Sequence, residues 1–261
     1  MLAVLLLAIA FHRTAAALWR TWWNNDNYSH GVLIPPITLF LVWRLKDELR
    51  ALPIAPSWLG LGLLGAGALL QVIGIRGDVT IFQGWALIAI LAGLAWTWCG
   101  WRWLRLLAFP IAFLIFMVPT VPWFLNQVSF RLKVVAANGA VHLAQAMGVS
   151  VLQRGMDLYF SSGTLTVENA CSGLNSLVAL MALGALFAYF SQGAAWRRWA
   201  LFLSAMPIAV IGNILRLTSL CVMAVFTSAH TASGHFHDVG GFVLFGIALL
   251  LLGLTKRALR C

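Results

Sequence analysis

Long apolar runs recur from one end of the chain to the other, broken mainly by small clusters of arginine and lysine. Only 9% of the residues are Asp, Glu, Lys or Arg, against about a quarter in an ordinary soluble domain. So few charges cannot cover a surface in contact with water. The chain therefore reads as an all-α integral membrane protein. A span takes about 20 apolar residues, so 261 residues accommodate a polytopic bundle of about eight transmembrane helices with short connections. Continuous apolar runs exclude a transmembrane β-barrel, whose strands alternate apolar and polar side chains. The formal net charge of +10 is spread over the span ends, which is the pattern of the positive-inside rule and not of a nucleic-acid surface.

The spans are expected at about 2–19, 31–43, 58–75, 79–99, 106–121, 173–190, 199–226 and 239–254. The first lacks a basic leader and a cleavage site, so it reads as a retained span. A polar loop, TWWNNDNYSH, follows it, and Trp19, Trp22, Trp23, Trp96, Trp98, Trp101, Trp103, Trp196 and Trp199 fall at span ends, as interfacial belts do. Ten of the seventeen basic residues then share one side: Arg44, Lys46, Arg50, Arg102, Arg105, Arg197, Arg198, Lys256, Arg257 and Arg260. That side is cytoplasmic. Residues 122–170 form an outer-face insert. Its first part carries a helical stripe of Leu125, Val128, Leu132, Val135, Gly139, Leu143 and Ala146, expected of an amphipathic helix lying at the interface. Its second part has two strand-like runs around Ser161-Ser162-Gly163, a small hairpin. The whole is expected to be one transmembrane domain, with its chemistry in about 168–250.

Several motifs fall away. Gly60, Gly62 and Gly65 spell G-x-G-x-x-G inside an apolar span, where close helix packing is the better reading than dinucleotide binding. No span carries a carboxylate, and no H-E-x-x-H occurs, which removes aspartyl and zinc proteases of those kinds. Cysteines at 99, 171, 221 and 261 have neither zinc nor disulfide spacing. Asp238 beside His237 has no second carboxylate or cysteine to complete a metal site. No metal and no cofactor is expected.

One constellation remains. Cys171 stands just before the sixth span, Arg216 lies near the outer end of the seventh, and His237 or His235 precedes the eighth. These three reach the same face, whereas Cys99 and Cys261 fall on the other and Cys221 lies within a span. A helix N-terminus, a cation and an imidazole all favour a thiolate. Such a thiolate attacks a peptide carbonyl, an arginine stabilises the oxyanion, and a histidine protonates the leaving amine. Singly, the cysteine has a plainer reading as a packing residue and the histidine as a solvated loop residue. An arginine inside a span costs about 3 kcal/mol on insertion scales and is functional by default. Glu168 and Asn213, each three residues before a member of the set, are candidates to orient it. The rival class is a transporter or channel, in which Arg216 binds an anionic solute and Pro207 and Gly212 break the seventh span. A third is a non-catalytic scaffold for polysaccharide export.

The chain resembles the exosortase family of bacterial membrane proteins. The resemblance rests on Glu168-Asn169-Ala170-Cys171-Ser172-Gly173, on Asn213-Ile214-Leu215-Arg216, on His237 with Gly241 and Phe245 after it, and on Tyr28-Ser29-His30-Gly31 before an apolar run to Trp43. It implies a cysteine peptidase or transpeptidase with the triad Cys171, Arg216 and His237, selecting His237 over His235. It places Glu168, Asn213, Ser172, Gly173 and His30 among supporting or substrate-binding residues. It further implies a multi-pass protein of the bacterial inner membrane, with its site on the periplasmic face. Its clients are exported proteins with a C-terminal signal of the PEP-CTERM type: a short Pro-Glu-Pro-type motif, a hydrophobic span and a basic tail. Typical clients are surface proteins linked to exopolysaccharide or biofilm. Membrane lipids are the other expected partner, and nucleic acid is not. Some members carry an added C-terminal domain, which a chain ending at Cys261 is expected to lack.

Overall fold

The computed structural model describes residues 2–120, 122–161, 163–167, 173–226 and 235–259. It is mostly helical and divides into two compact units, Met1–Val121 and Pro122–Cys261.

The first unit contains α1 (Leu2–Asn24), α2 (Ile34–Arg44), α3 (Lys46–Ala51), α4 (Gly60–Arg76), α5 (Thr80–Leu94) and α6 (Trp101–Phe113). The expected polar loop after the first span is helical instead. The α1 helix runs on to Asn24, and a 3-10 helix, Asp26–Leu33, follows, capped by the Asn25 side chain on the Asn27 N–H. Pro35 and Pro36 sit in the first turn of α2, where a missing N–H costs nothing. The fifth span starts earlier than expected, at Trp101, and passes through Pro110.

Glycines seven apart make the seam between α4 and α5. A Cβ added at Gly67 would lie 2.7 Å from Ile90 Cγ1, one at Gly74 would lie 2.9 Å from Gln83, and one at Gly60 would strike Thr97. Gly62 and Gly65 face open space. Of the three glycines in the G-x-G-x-x-G motif, only Gly60 serves close packing. Gly67→Ala is therefore expected to lower the melting temperature of the detergent-solubilised protein by several degrees through overpacking. Gly65→Ala should leave it unchanged or raise it slightly, because alanine favours the helix. Equal effects at the two positions would show that the seam does not hold the pair.

The YSHG stretch is tied to the end of the same unit. The Tyr28 hydroxyl accepts from the Thr120 N–H at 2.9 Å, the His30 Nε2 lies 3.1 Å from the Phe116 carbonyl, and Gly31 abuts the Trp22 ring. The Trp22 indole N–H donates to the Met117 carbonyl at 2.9 Å. Trp22 is thus a core residue and leaves the interfacial set, whereas Trp19, Trp23, Trp98, Trp101, Trp196 and Trp199 are exposed.

The second unit contains α7 (Pro122–Ala146), strands β1 (Leu152–Arg154), β2 (Asp157–Phe160) and β3 (Gly163–Thr166), then α8 (Leu174–Phe190), α9 (Ala195–Phe226) and α10 (His235–Ala258). The three strands form one antiparallel sheet in the order β1-β2-β3. The expected hairpin is its β2–β3 part. The α8 and α9 helices are antiparallel: Gly184 packs on Ala205 and Gly173 on Asn213. Residues Leu201, Ala205 and Ile208 of α9 share a core cluster with Leu180, Ala248 and Leu252.

The α7 helix differs from expectation in two ways. It packs along α9 in the same direction, with Leu132 and Ala136 beside Ala209 and Asn213, and Gly139 on Ile214. It is not a helix lying free at an interface. Its buried face is also not the large apolar stripe. Ala136, Ala137, Ala140, Val141 and Ala144 face inward, while Val135 and Leu143 are 48% and 42% exposed. Small residues allow helices to approach closely where lipid-like surroundings remove any drive to bury leucine. Together with Val151, Leu158, Phe160, Leu165 and Val167 from the sheet segment, these alanines enclose Leu217, Leu220, Cys221 and Ala224 of α9. Cys221 is a packing residue, 0% exposed.

Among the described residues, two helical stretches are long and apolar enough to cross a membrane, Thr80–Cys99 and Ala195–Val225. The α4 and α8 helices are apolar but shorter. Only 22% and 39% of the most apolar 18-residue window of each of the two long stretches is buried, unlike the mostly buried core helix of a water-soluble fold. Their apolar faces, like those bearing Leu39, Leu61, Leu69, Val243 and Leu250, point outward, the condition of helices solvated by lipid.

Candidate functional site

Two ends of the second unit differ in chemistry. At one, the C-terminal ends of α8 and α10 meet the start of α9. Lys256 lies over the Phe187 ring at 5.9 Å, and Arg197 over Trp196 at 5.5 Å. Arg198 and Arg257 belong to the same turns. Basic residues there match the last-turn preference of α10.

The other end holds the polar groups. Arg216 follows Arg198 by 18 residues of continuous α9, about 27 Å at 1.5 Å per residue. That is close to the thickness of a hydrocarbon core, about 30 Å. Leu217, the next residue, already belongs to the cluster under the sheet. Arg216 therefore stands where α9 begins to pack under the sheet segment. It is half-buried and lines a crevice with Ser176 and Leu180 of α8, Asn213 of α9, and Phe245 and Ala248 of α10. The crevice has a volume of about 20 Å³, room for one water molecule.

Asn213 is buried at 7% exposure and faces the start of α8. Gly173 caps that helix with φ +74°. A Cβ added there would lie 2.6 Å from Asn213 Cγ and 2.7 Å from its Nδ2. Two requirements thus select glycine at 173: a left-handed backbone and contact with a side chain one turn before Arg216. Gly173 thus packs on Asn213, and Asn213 lines the crevice together with Arg216. Glu168, Cys171 and Ser172 lie outside the described residues. The α10 helix begins at His235, so His237 belongs to its first turn and not to a preceding loop. The His235 and His237 side chains lie outside the described atoms. His30 belongs to the first unit, bonded to Phe116.

Ser176 and Leu180 line the crevice without having been singled out in the sequence. The signal for Ser176 was available: Asn175 and Ser176 are the polar pair in the first turn of an otherwise apolar helix. Pro207 and Gly212 do not break α9, which is continuous from Ala195 to Phe226.

A family model described as transmembrane exosortase (Exosortase_EpsH) matches residues 22–254. The chain belongs to the transmembrane exosortase family. The match takes in the whole of α2 to α9, the YSHG stretch, Cys171, Arg216 and His237, and agrees with the helical, outward-apolar architecture. Comparison with the curated proteins and with the solved structures found no match. The exosortase is accordingly a helical membrane protein. Its candidate site is the polar end of α8, α9 and α10. Among the described residues, no group of three or more His, Cys, Asp or Glu is placed to hold a metal ion.

Proposed function

We propose that this exosortase is a membrane cysteine peptidase or transpeptidase that cleaves the C-terminal sorting signal of exported proteins. The observation that carries the reading is the packing of Gly173 on Asn213, one turn from Arg216 on α9. Cys171 precedes Gly173 by two residues, a chain reach of at most about 7 Å. Phe245 of α10 borders the same crevice as Arg216, and His237 is two turns before it on that helix. In this reading the Cys171 thiolate attacks the scissile carbonyl and an S–C bond forms. Arg216 stabilises the oxyanion. The C–N bond then breaks as protonated His237 gives its proton to the departing amine. The client leaves the thioester when water or an acceptor nucleophile, deprotonated by His237, displaces the cysteine sulfur. Glu168, Asn213 and Ser172 orient the set. The site operates on the periplasmic face of the bacterial inner membrane, opposite the basic end, and all of 1–261 serves as one domain.

A client of this kind carries a Pro-Glu-Pro-type motif, an apolar span and a basic tail. Its tail stays with the basic end of the enzyme's helices while the motif emerges at the polar end. Surface proteins tied to exopolysaccharide are the expected clients. An anion transporter of the broken-helix kind would need an interruption near Arg216, whereas α9 is continuous from Ala195 to Phe226.

The test is co-expression of a tagged client with the wild-type chain and determination of the new C-terminus by mass spectrometry. A product shortened at the motif supports the reading, and its mass separates hydrolysis from transfer to an acceptor. An unprocessed client in membranes that hold folded enzyme would overturn it.

A further inference from the structure

We infer that β3 is the docking edge for the client: the extended segment just before the client's membrane span adds to the sheet as a fourth strand beside Gly163–Thr166. The inference deepens the peptidase reading above and rests on it.

The hydrogen-bond phase of the sheet turns backbone groups of this edge outward. The Val167 N–H donates to the Met156 carbonyl at 2.9 Å, so those two residues form a hydrogen-bonded pair. In an antiparallel ladder such pairs alternate with pairs that do not exchange hydrogen bonds. By the observed register, Leu158–Leu165 and Phe160–Gly163 are of the first kind, and Asp157–Thr166 and Tyr159–Thr164 of the second. Thr164 and Thr166 therefore turn their N–H and C=O groups away from β2. Both residues are exposed, and no described strand lies beyond β3. Natural sheets block such an edge with lysine, proline, an inward charge or a bulge. β3 reads Gly-Thr-Leu-Thr, with its one apolar side chain, Leu165, buried under the sheet. The edge is polar and carries no such block among the described residues, which suits a peptide and not lipid.

Two arguments choose the client as occupant. Cys171 follows Thr166 by five residues, a reach of no more than about 17 Å, so a strand on this edge lies within reach of the proposed nucleophile. The second concerns proline. A proline within a strand is tolerated only where its missing N–H faces away from the ladder. Residues two apart face the same way. Both prolines of a Pro-x-Pro motif can therefore face outward while the residue between them exchanges hydrogen bonds with Thr164 or Thr166. Main-chain bonds of this kind are the usual source of affinity in strand addition.

The test uses the full chain carrying Cys171→Ala in detergent micelles and a fluorescein-labelled synthetic peptide of the client's motif region. Backbone N-methyl groups are placed at one residue after another, and affinity is read by fluorescence anisotropy. Each N-methyl that removes a ladder bond is expected to weaken binding about three- to tenfold. Sensitive positions should alternate and should share the phase of the residue between the two prolines. Thr166→Pro, which removes one outward N–H, should weaken the unmodified peptide by a similar factor. Because the peptide series leaves the protein untouched, it decides even if that variant misfolds. A flat profile, a continuous block of sensitive positions, or no binding would overturn strand addition. Client processing by the wild-type chain is measured alongside. If processing persists with a flat profile, the peptidase reading stands and strand addition fails. If processing is absent, both fail.

Discussion

Client processing is expected to fall about a thousandfold or more when Cys171 is replaced by alanine, with the protein still present and folded in the membrane. In the proposed mechanism the loss follows from removal of the nucleophile. Cys171→Ser, nearly the same size, should be as inactive. A hydroxyl is far from ionised under conditions where a thiol beside a helix N-terminus and a cation is a thiolate. These two variants separate chemistry from packing, since a packing cysteine tolerates both. Arg216→Ala is expected to cost about a hundred- to thousandfold, the range for loss of one oxyanion donor. Arg216→Lys should recover part of it, because the charge returns without the planar fork. Melting temperature and membrane level are measured with each variant. Full processing by well-folded Cys171→Ala would overturn the cysteine mechanism. Full processing by Arg216→Ala would remove the arginine from it.

Gly173→Ala should be the most damaging single methyl in the second unit. The left-handed backbone at φ +74° costs a non-glycine residue about 1–2 kcal/mol. The new methyl would also press on Asn213 at 2.6–2.9 Å, adding about 1–3 kcal/mol of overpacking. Asn213 cannot withdraw easily, because its own Cβ, fixed to α9, is among the atoms struck. Either Asn213 or the start of α8 must shift, which in the proposed mechanism disturbs the approach of the nucleophile, two residues before Gly173, to Arg216. Displacements of about 1 Å cost around a hundredfold in rate, so processing should fall by about that factor. Gly148 and Gly155 supply the control. Their φ values are +85° and +66°, yet a Cβ at either meets nothing within 4 Å. Alanine there should bring the backbone cost alone and leave processing intact. Should Gly173→Ala match Gly148→Ala in both melting temperature and processing, the contact with Asn213 is not what positions the α8 terminus.

Much of the architecture was legible because charge and turn chemistry act locally. The ends of α4, α5 and α8 fall within a few residues of their expected limits, since Arg76, Gly77 and the Ser191–Gln192–Gly193 stretch interrupt the apolar runs. Ser161-Ser162-Gly163 marked the β2–β3 turn for the same reason. Other features were hidden because apolar periodicity in a membrane chain does not say which face is buried. On α7 Val135 and Leu143 of the apolar stripe face outward while Ala136, Ala137, Ala140 and Ala144 face inward. Trp22 looked like its neighbours Trp19 and Trp23, and only its bond to the Met117 carbonyl distinguishes it. The start of α10 at His235 was concealed by two glycines, Gly240 and Gly241, that weaken the helical pattern.

The sequence by itself determined that the chain is a helical membrane protein, which family motifs it carries, and that Arg216 is the charged group inside its seventh apolar run. Each of these depends on residue type and spacing, which survive without a third dimension. Only the tertiary structure decided that α9 continues unbroken past Pro207, that Gly173 rests on Asn213 beside Arg216, that Ser176 and Phe245 border the same crevice, and that no described strand lies beyond β3. Apart from the continuity of α9, these are relations between separate elements of the chain. They depend on how helices of equal apolarity choose their neighbours, a choice made by small residues and shape and not by hydropathy.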